Sequence, residues 1–182
     1  MKDRGEPPAS APAAESPVQI AGLDHWVLTV RDIEASCAFY HTVLGFEIRR
    51  FGDQRTALHF GNQKINLHQA GAEFEPKAAR PTPGAADMCF VSLTPLDQVA
   101  AHLLCRHIPI EAGPVRRTGA LGPVTSLYFR DPDGNLLELC HYDETRPGLS
   151  AAPRASGHGP NTTPAVKVQA PRCYDCTETM PP

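Results

Sequence analysis

HWVLTVRDIEASCAFYHTVLGFEI, residues 25–48, decides the fold, because DMCFVSLTPLDQVAAHLLCRHIPIE, residues 87–111, repeats its plan. Both stretches open on a polar, metal-competent side chain, His25 and Asp87, at the head of an alternating apolar strand. In the first, His25, Val27 and Thr29 share one face, and Trp26, Leu28 and Val30 share the other. Asp32 then stands where a helix cap is needed, its carboxylate matched to the positive end of the helix dipole. Ile33, Cys37, Tyr40 and Leu44 recur at spacings of four, three and four, which is one helical face. Gly45 supplies the left-handed residue that ends the helix, and Phe46-Glu47-Ile48 opens the next strand.

The second stretch follows the same grammar. Asp87, Cys89 and Val91 face one way, Met88 and Phe90 the other. Thr94-Pro95-Leu96-Asp97 reads as a helix start with a capping hydroxyl and proline at the first helical position. Leu96, Val99 and Leu103 form its buried stripe. Each stretch is followed by a strand-turn-strand. In the first copy Thr56–Phe60 and Lys64–Gln69 flank Gly61-Asn62-Gln63; in the second Ser126–Arg130 and Asn135–His141 flank Asp131-Pro132-Asp133-Gly134. Pro81-Thr82-Pro83-Gly84 links the copies. The expected fold is α+β: tandem βαβββ modules forming a cupped eight-stranded mixed sheet over residues 19–143.

Strand parity selects candidate ligands. Asn66 and His68 share a face on the fourth strand, and Glu138 lies with Leu136 and Cys140 on the eighth, so His25, Asn66, His68, Asp87 and Glu138 can all project inward. Histidine and carboxylate suit a divalent zinc, nickel, manganese or iron ion, and burying them unpaired is costly. Spacing alone leaves other roles open: a hydrogen-bonded strand-start histidine for His25, a strand cap for Asp87. Arg116 and Arg117 belong either to a loop that closes on an anionic substrate or to an ordinary hairpin connection. The remaining histidines, His141 included, read as surface or loop residues.

Composition narrows the classes. The chain has 182 residues, a formal charge of -3 and 41% hydrophobic residues, a balance that points to neither nucleic acid nor a membrane as partner. No apolar run approaches the roughly 20 residues needed to span a bilayer. Residues 1–18, rich in Pro, Ala and Ser, read as a disordered leader without a signal-peptide core. Residues 144–182 read as a disordered tail with too little apolar surface to offset ordering entropy. Cys37, Cys89, Cys105 and Cys140, among apolar neighbours, read as reduced core thiols, consistent with a cytoplasmic setting. Cys173 and Cys176 form a lone CxxC without the partners of a zinc or redox site. Asn161-Thr162-Thr163 matches a glycosylation sequon that means little without a secretory route.

HWVLTV, FYHTVLGFE, FGNQKINLHQ and above all LYFRDPDGNLLEL resemble the vicinal oxygen chelate superfamily of glyoxalases, extradiol dioxygenases and bleomycin-binding proteins. More closely, FGNQKINLHQAGAEFEPKAARPTPGAADMCF and PVRRTGALGPVTSLYFRDPDGNLLE are similar to the glyoxalase domain-containing protein 5 subfamily. The resemblance spans about residues 20–143. It implies metal ligands at His25, Asn66, Asp87 and Glu138. Asn66 stands where Glu or Gln is usual in glyoxalase I and Asp87 where His is usual, and His68 shares Asn66's parity as a substitute. The activity implied is a metal-dependent lyase or isomerase acting on a small oxygenated substrate, with Glu138 as ligand and proton shuttle. An Fe(II) extradiol-type dioxygenase and a non-enzymatic small-molecule module are the alternatives. The expected partners are a small-molecule substrate and a second copy of the chain.

Removing residues 145–182 is expected to leave stability unchanged within about 1 kcal/mol, the range of surface effects. Thermal melts of the full and shortened chains check this; a larger loss would show that the tail docks on the core.

Overall fold

The computed structural model of the chain describes residues 17–142. Residues 1–16 of the expected leader, the tail, its CxxC and the sequon lie outside the described residues. The elements in order are β1 (His25–Val30), α1 (Ile33–Leu44), β2 (Glu47–Phe51), β3 (Arg55–Phe60), β4 (Gln63–Gln69), β5 (Asp87–Val91), α2 (Leu96–Cys105), β6 (Ala112–Gly119), β7 (Gly122–Arg130) and β8 (Leu136–Tyr142). This is βαβββ twice. The strands form two four-stranded mixed sheets, ordered β1-β4-β3-β2 and β5-β8-β7-β6. In each, the first strand runs parallel to the fourth, and the last three strands are antiparallel.

The first helix forms as its sequence dictates. The Asp32 carboxylate accepts from Ala35 N at 2.9 Å, and Gly45 closes the helix at φ 70°, its N–H returning to the His41 carbonyl. Ser36, Cys37 and Tyr40 are its buried residues. The second helix differs from expectation at its start. It begins at Leu96 with Pro95 as cap and no side-chain capping bond, because the Ser92 and Thr94 backbone and hydroxyl groups turn on each other instead. Its buried stripe is Leu96, Val99 and Leu103. The strand after α2 starts at Ala112, beyond the repeated stretch. His107 is in the left-handed region at φ 57°, and Ile108 and Ile110 pack on the core from an irregular segment. Arg116 and Arg117 lie on β6 itself, not on a closing loop.

One hydrophobic core serves both modules. Leu28, Val30, Leu58, Ile65 and Leu67 of the first sheet and Leu127, Phe129, Leu137 and Leu139 of the second belong to one buried cluster with both helices. Phe46, Phe60 and Phe90 bridge the halves, with ring centroids 4.5–5.4 Å apart. Among the described residues no helix is long and apolar enough to cross a membrane.

A buried polar knot ties the modules together. The β7–β8 turn carries Asp131, whose Oδ1 accepts from the backbone N–H of Asp133 (3.0 Å) and of Asn135 (2.8 Å). Its Oδ2 accepts from Asn135 Nδ2 (2.7 Å) and from the Tyr40 hydroxyl of α1 (2.9 Å). Burial first, then the Asp131 charge, pushes the Tyr40 phenol far above its ordinary range, so it stays a donor. Asp133 accepts from Arg31 N with both oxygens at 3.2 Å, and Asn135 Oδ1 accepts from Ala86 N just before β5. Gly84, at φ 78°, passes so close that a Cβ there would lie 2.5 Å from the Asp133 carbonyl oxygen.

Tyr40→Phe is expected to cost about 1.5–3 kcal/mol, the range for a hydrogen bond to a charged group, since Asp131 keeps three donors. Asp131→Ala strands all of its donors and is expected to cost more, about 4 kcal/mol or above. Urea unfolding of both variants checks the order; equal losses would show that the knot contributes little beyond the phenol.

Candidate functional site

β1 and β5 are the edge strands of their sheets, and their equivalent opening residues come together. His25 and Asp87 line one cleft of about 210 Å³ between the modules, with Trp26, Phe60, Lys64 and Cys89 among its other walls. His25 Nδ1 lies 2.6 Å from the Asp24 carboxylate, a contact that holds the Asp24 carboxyl below its usual value. This leaves the far imidazole nitrogen as the free coordinating or hydrogen-bonding atom.

Glu138 stands one strand further in. It pairs in register with Cys89 on β5 and with Tyr128 on β7, all on the sheet face turned away from the helices. Its carboxylate is among the groups that raise the pKa of the Tyr128 hydroxyl and of the Cys89 thiol, after desolvation in both cases. Arg117 Nε, on β6, donates to the Tyr128 oxygen at 3.2 Å, which ties Glu138's neighbour on β7 to the next strand. Desolvation, then Cys140 and Glu138, pushes the Cys89 thiol well above the ordinary thiol range, so it is no nucleophile at neutral pH.

His68 is elsewhere. It lines a second cavity of about 220 Å³ with Val27, Thr29, Pro76, Lys77 and Pro81, beneath the segment joining β4 to β5. Its ring meets Phe74 edge-on at 5.6 Å. Desolvation, then the Arg55 charge, lowers its pKa below 6.5, which keeps it neutral at pH 7. Asn66 Oδ1, His68 Nδ1 and, on the second sheet, Ser126 Oγ are buried with no hydrogen-bond partner among the described residues.

The donor chemistry therefore suits a metal, but the described residues of one chain do not fit one. No three His, Cys, Asp or Glu side chains among them lie close enough to hold an ion, whereas a catalytic zinc takes three protein ligands. His25 and Asp87 share a cleft, Glu138 flanks Cys89 on its wall, and His68 is in another cavity. Other histidines serve the backbone: His41 bonds the Phe46 carbonyl, His102 that of Val43, and His141 that of Ser92. Cys37 and Cys140 are buried as expected of core thiols, but Cys89 and Cys105 are exposed, Cys89 because it shares the face of Asp87 turned away from the helices. Tyr128 and Ser126 were not singled out in sequence, although parity with Glu138 places them on that face. Thr29 reaches His68 as its register partner across β1 and β4, whereas Lys77 carried no comparable signal, because only the strap over β4 brings it to the cavity.

A duplicated βαβββ domain whose equivalent strands present ligand-type side chains to a shared cleft defines the class. The chain belongs to the Glyoxalase/Bleomycin resistance protein/Dioxygenase superfamily, whose model matches residues 22–139. It is 56% identical over 120 residues to the virulence protein STM3117 of Salmonella typhimurium, covering 66% of this chain and 83% of that protein. It is 48% identical over 129 residues to the glyoxalase domain-containing protein RDO1 of Mycosarcoma maydis, covering 71% and 73%. The crystal structure of STM3117 superposes with a TM-score of 0.68, covering 69% of this chain and all of that one.

The strap over His68 is itself clamped. Glu73 accepts from Gly71 N at 2.9 Å and from Lys77 Nζ at 3.1 Å. The backbone N–H bonds first, then Lys77, hold the Glu73 carboxyl down to about 2. A depressed folded pKa means the clamp is fully present above 4.5 and lost as pH falls from 4.5 through about 2. Carbon-detected NMR titration is expected to place the Glu73 midpoint near 2, with the Gly71 amide moving alongside it. A midpoint near the ordinary glutamate value would mean the clamp does not form.

Proposed function

We propose that this chain is a glyoxalase-like domain that binds a small oxygen-bearing molecule on the helix-free faces of its two sheets. The observation that carries the reading is the set of buried, unpartnered polar atoms: Asn66 Oδ1, His68 Nδ1 and Ser126 Oγ. A buried polar atom left unpaired costs about 1–3 kcal/mol, and a ligand with complementary donors and acceptors removes that cost. The resemblance of residues 60–90 and 114–138 to the glyoxalase domain-containing protein 5 subfamily supports the same placement.

One observation favours a second reading, a metal-dependent lyase or isomerase. His25 and Asp87, equivalent by repeat, already share a cleft. A zinc, nickel, manganese or iron ion there would act as a Lewis acid on neighbouring substrate oxygens. Glu138, with its Tyr128 and Cys89 partners, is placed to hold or pass a proton. This reading takes further donors from beyond the described residues of one chain, and a homodimer is the source it proposes. An Fe(II) dioxygenase has the same requirement.

Ligand-observed NMR with a panel of small hydroxylated and carbonyl compounds, in the presence and absence of EDTA, separates the readings. The first expects capture that survives EDTA and is lost in Asn66→Leu and His68→Phe. The second expects stoichiometric metal in the purified protein, lost in His25→Ala and Glu138→Gln and retained in His141→Ala. Capture indifferent to every one of these changes would sink both.

A further inference from the structure

We infer that the cavity between β1, β4 and the strap is a recognition site for a small monocarboxylate with an apolar body. The inference rests on the binding reading above and specifies the ligand for one part of it. The walls divide by chemistry. Val27, Pro76, Ala78 and Pro81 are apolar; Thr29, His68 and Lys77 are the polar groups that line the same space. His68 is 8% exposed, and its Nδ1 has no partner among the described residues. A carboxylate oxygen or a ligand hydroxyl supplies one.

Charge chooses the anion. Lys77 carries three N–H donors. Glu73 takes one at 3.1 Å, and the exposed Glu75 lies at 3.6 Å, which leaves donor capacity for the cavity. Arg55 stands on the other side of Phe74, its guanidinium 4.8 Å from the ring centroid, with no carboxylate partner among the described residues. Phe74 thus has Arg55 on its face and His68 at its edge. Glu73 cancels one of the two cations, and Glu75 is screened by solvent. About one uncompensated positive charge remains beside a neutral imidazole and an apolar wall. That suits a single carboxylate better than a phosphate dianion, and better than an uncharged alcohol.

The test is isothermal titration of the full chain with benzoate, benzyl alcohol and inorganic phosphate. Benzoate is expected to bind, with benzyl alcohol at least about tenfold weaker and phosphate unable to compete, a charge-assisted contact being roughly twice as strong as a neutral one. Lys77→Met is expected to weaken benzoate about tenfold, and Glu73→Gln, which loosens the same clamp but leaves the Lys77 cation, is expected not to weaken it. Arg106→Gln, just past α2, leaves it unchanged. His68→Phe, which removes the buried ring nitrogens at nearly constant shape, is expected to abolish binding with its melting curve retained. Equal affinity for benzoate and benzyl alcohol, or benzoate binding untouched by Lys77→Met, would overturn the inference. If neutral compounds are still captured and lost in His68→Phe, the binding reading stands and only the carboxylate assignment fails. If neither His68→Phe nor Asn66→Leu alters capture of any compound, both fail.

Discussion

The buried carboxylate of Asp131 anchors the turn through which the two modules make their buried polar contacts. Desolvating a carboxylate costs several kcal/mol. Here four donors meet it, two of them backbone N–H groups of its own turn and one a phenol from the other module. Charge-assisted hydrogen bonds contribute about 1.5–3 kcal/mol each, so four of them outweigh that desolvation. The turn is thereby rigid before it meets anything else. Its neighbours use that rigidity: Asp133 takes the Arg31 N–H at the end of β1, and Asn135 takes the Ala86 N–H at the start of β5. One turn therefore fixes where both edge strands lie.

That placement sets what the cleft can do. β1 and β5 each keep one unpaired edge, and the space between them is where His25 and Asp87 arrive. Trp26 remains 48% exposed beside them, so the cleft has an apolar rim as well as polar contents. Phe60 and Phe90, packed edge-to-face across the modules, are among its walls. A gap walled by packed rings, with ligand-type side chains at its mouth, is a product of the duplication. Neither module has such a gap alone.

The sequence made the repeat and the strand parity readable because both are periodic. Residues two apart on a strand share a face whatever surrounds them, so the shared face of Asn66 with His68 follows from alternation alone. Helix starts were legible where one side chain decides, as at Asp32, and not where several compete, as at Ser92-Leu93-Thr94-Pro95. The Asp131 knot was legible only as a turn. Its role in joining modules depends on a partner, Tyr40, far away in the chain and read there as a core residue. The site was legible in its residue types but not in its grouping, since parity says which face a side chain takes and nothing about which cavity it enters.

Electrostatics accounts for that split. His25 shares its cleft with Asp87, and Glu138 pairs in register with Cys89 on its wall, so two carboxylates on that side offset the one cation there, Lys64. His68, of equal standing by parity, sits under a strap that brings Lys77 to its cavity and near Arg55 across Phe74. A divalent ion beside two positive side chains is repelled, and in a partly desolvated cavity the repulsion is stronger than in water. The same charges attract an anion. The strap thus separates two histidines that the repeat makes look alike, and it does so with residues that belong to neither copy. Because Glu73 neutralises one of the strap's cations while also taking the Gly71 N–H, the charge over His68 and the closure of the strap are set by a single carboxylate.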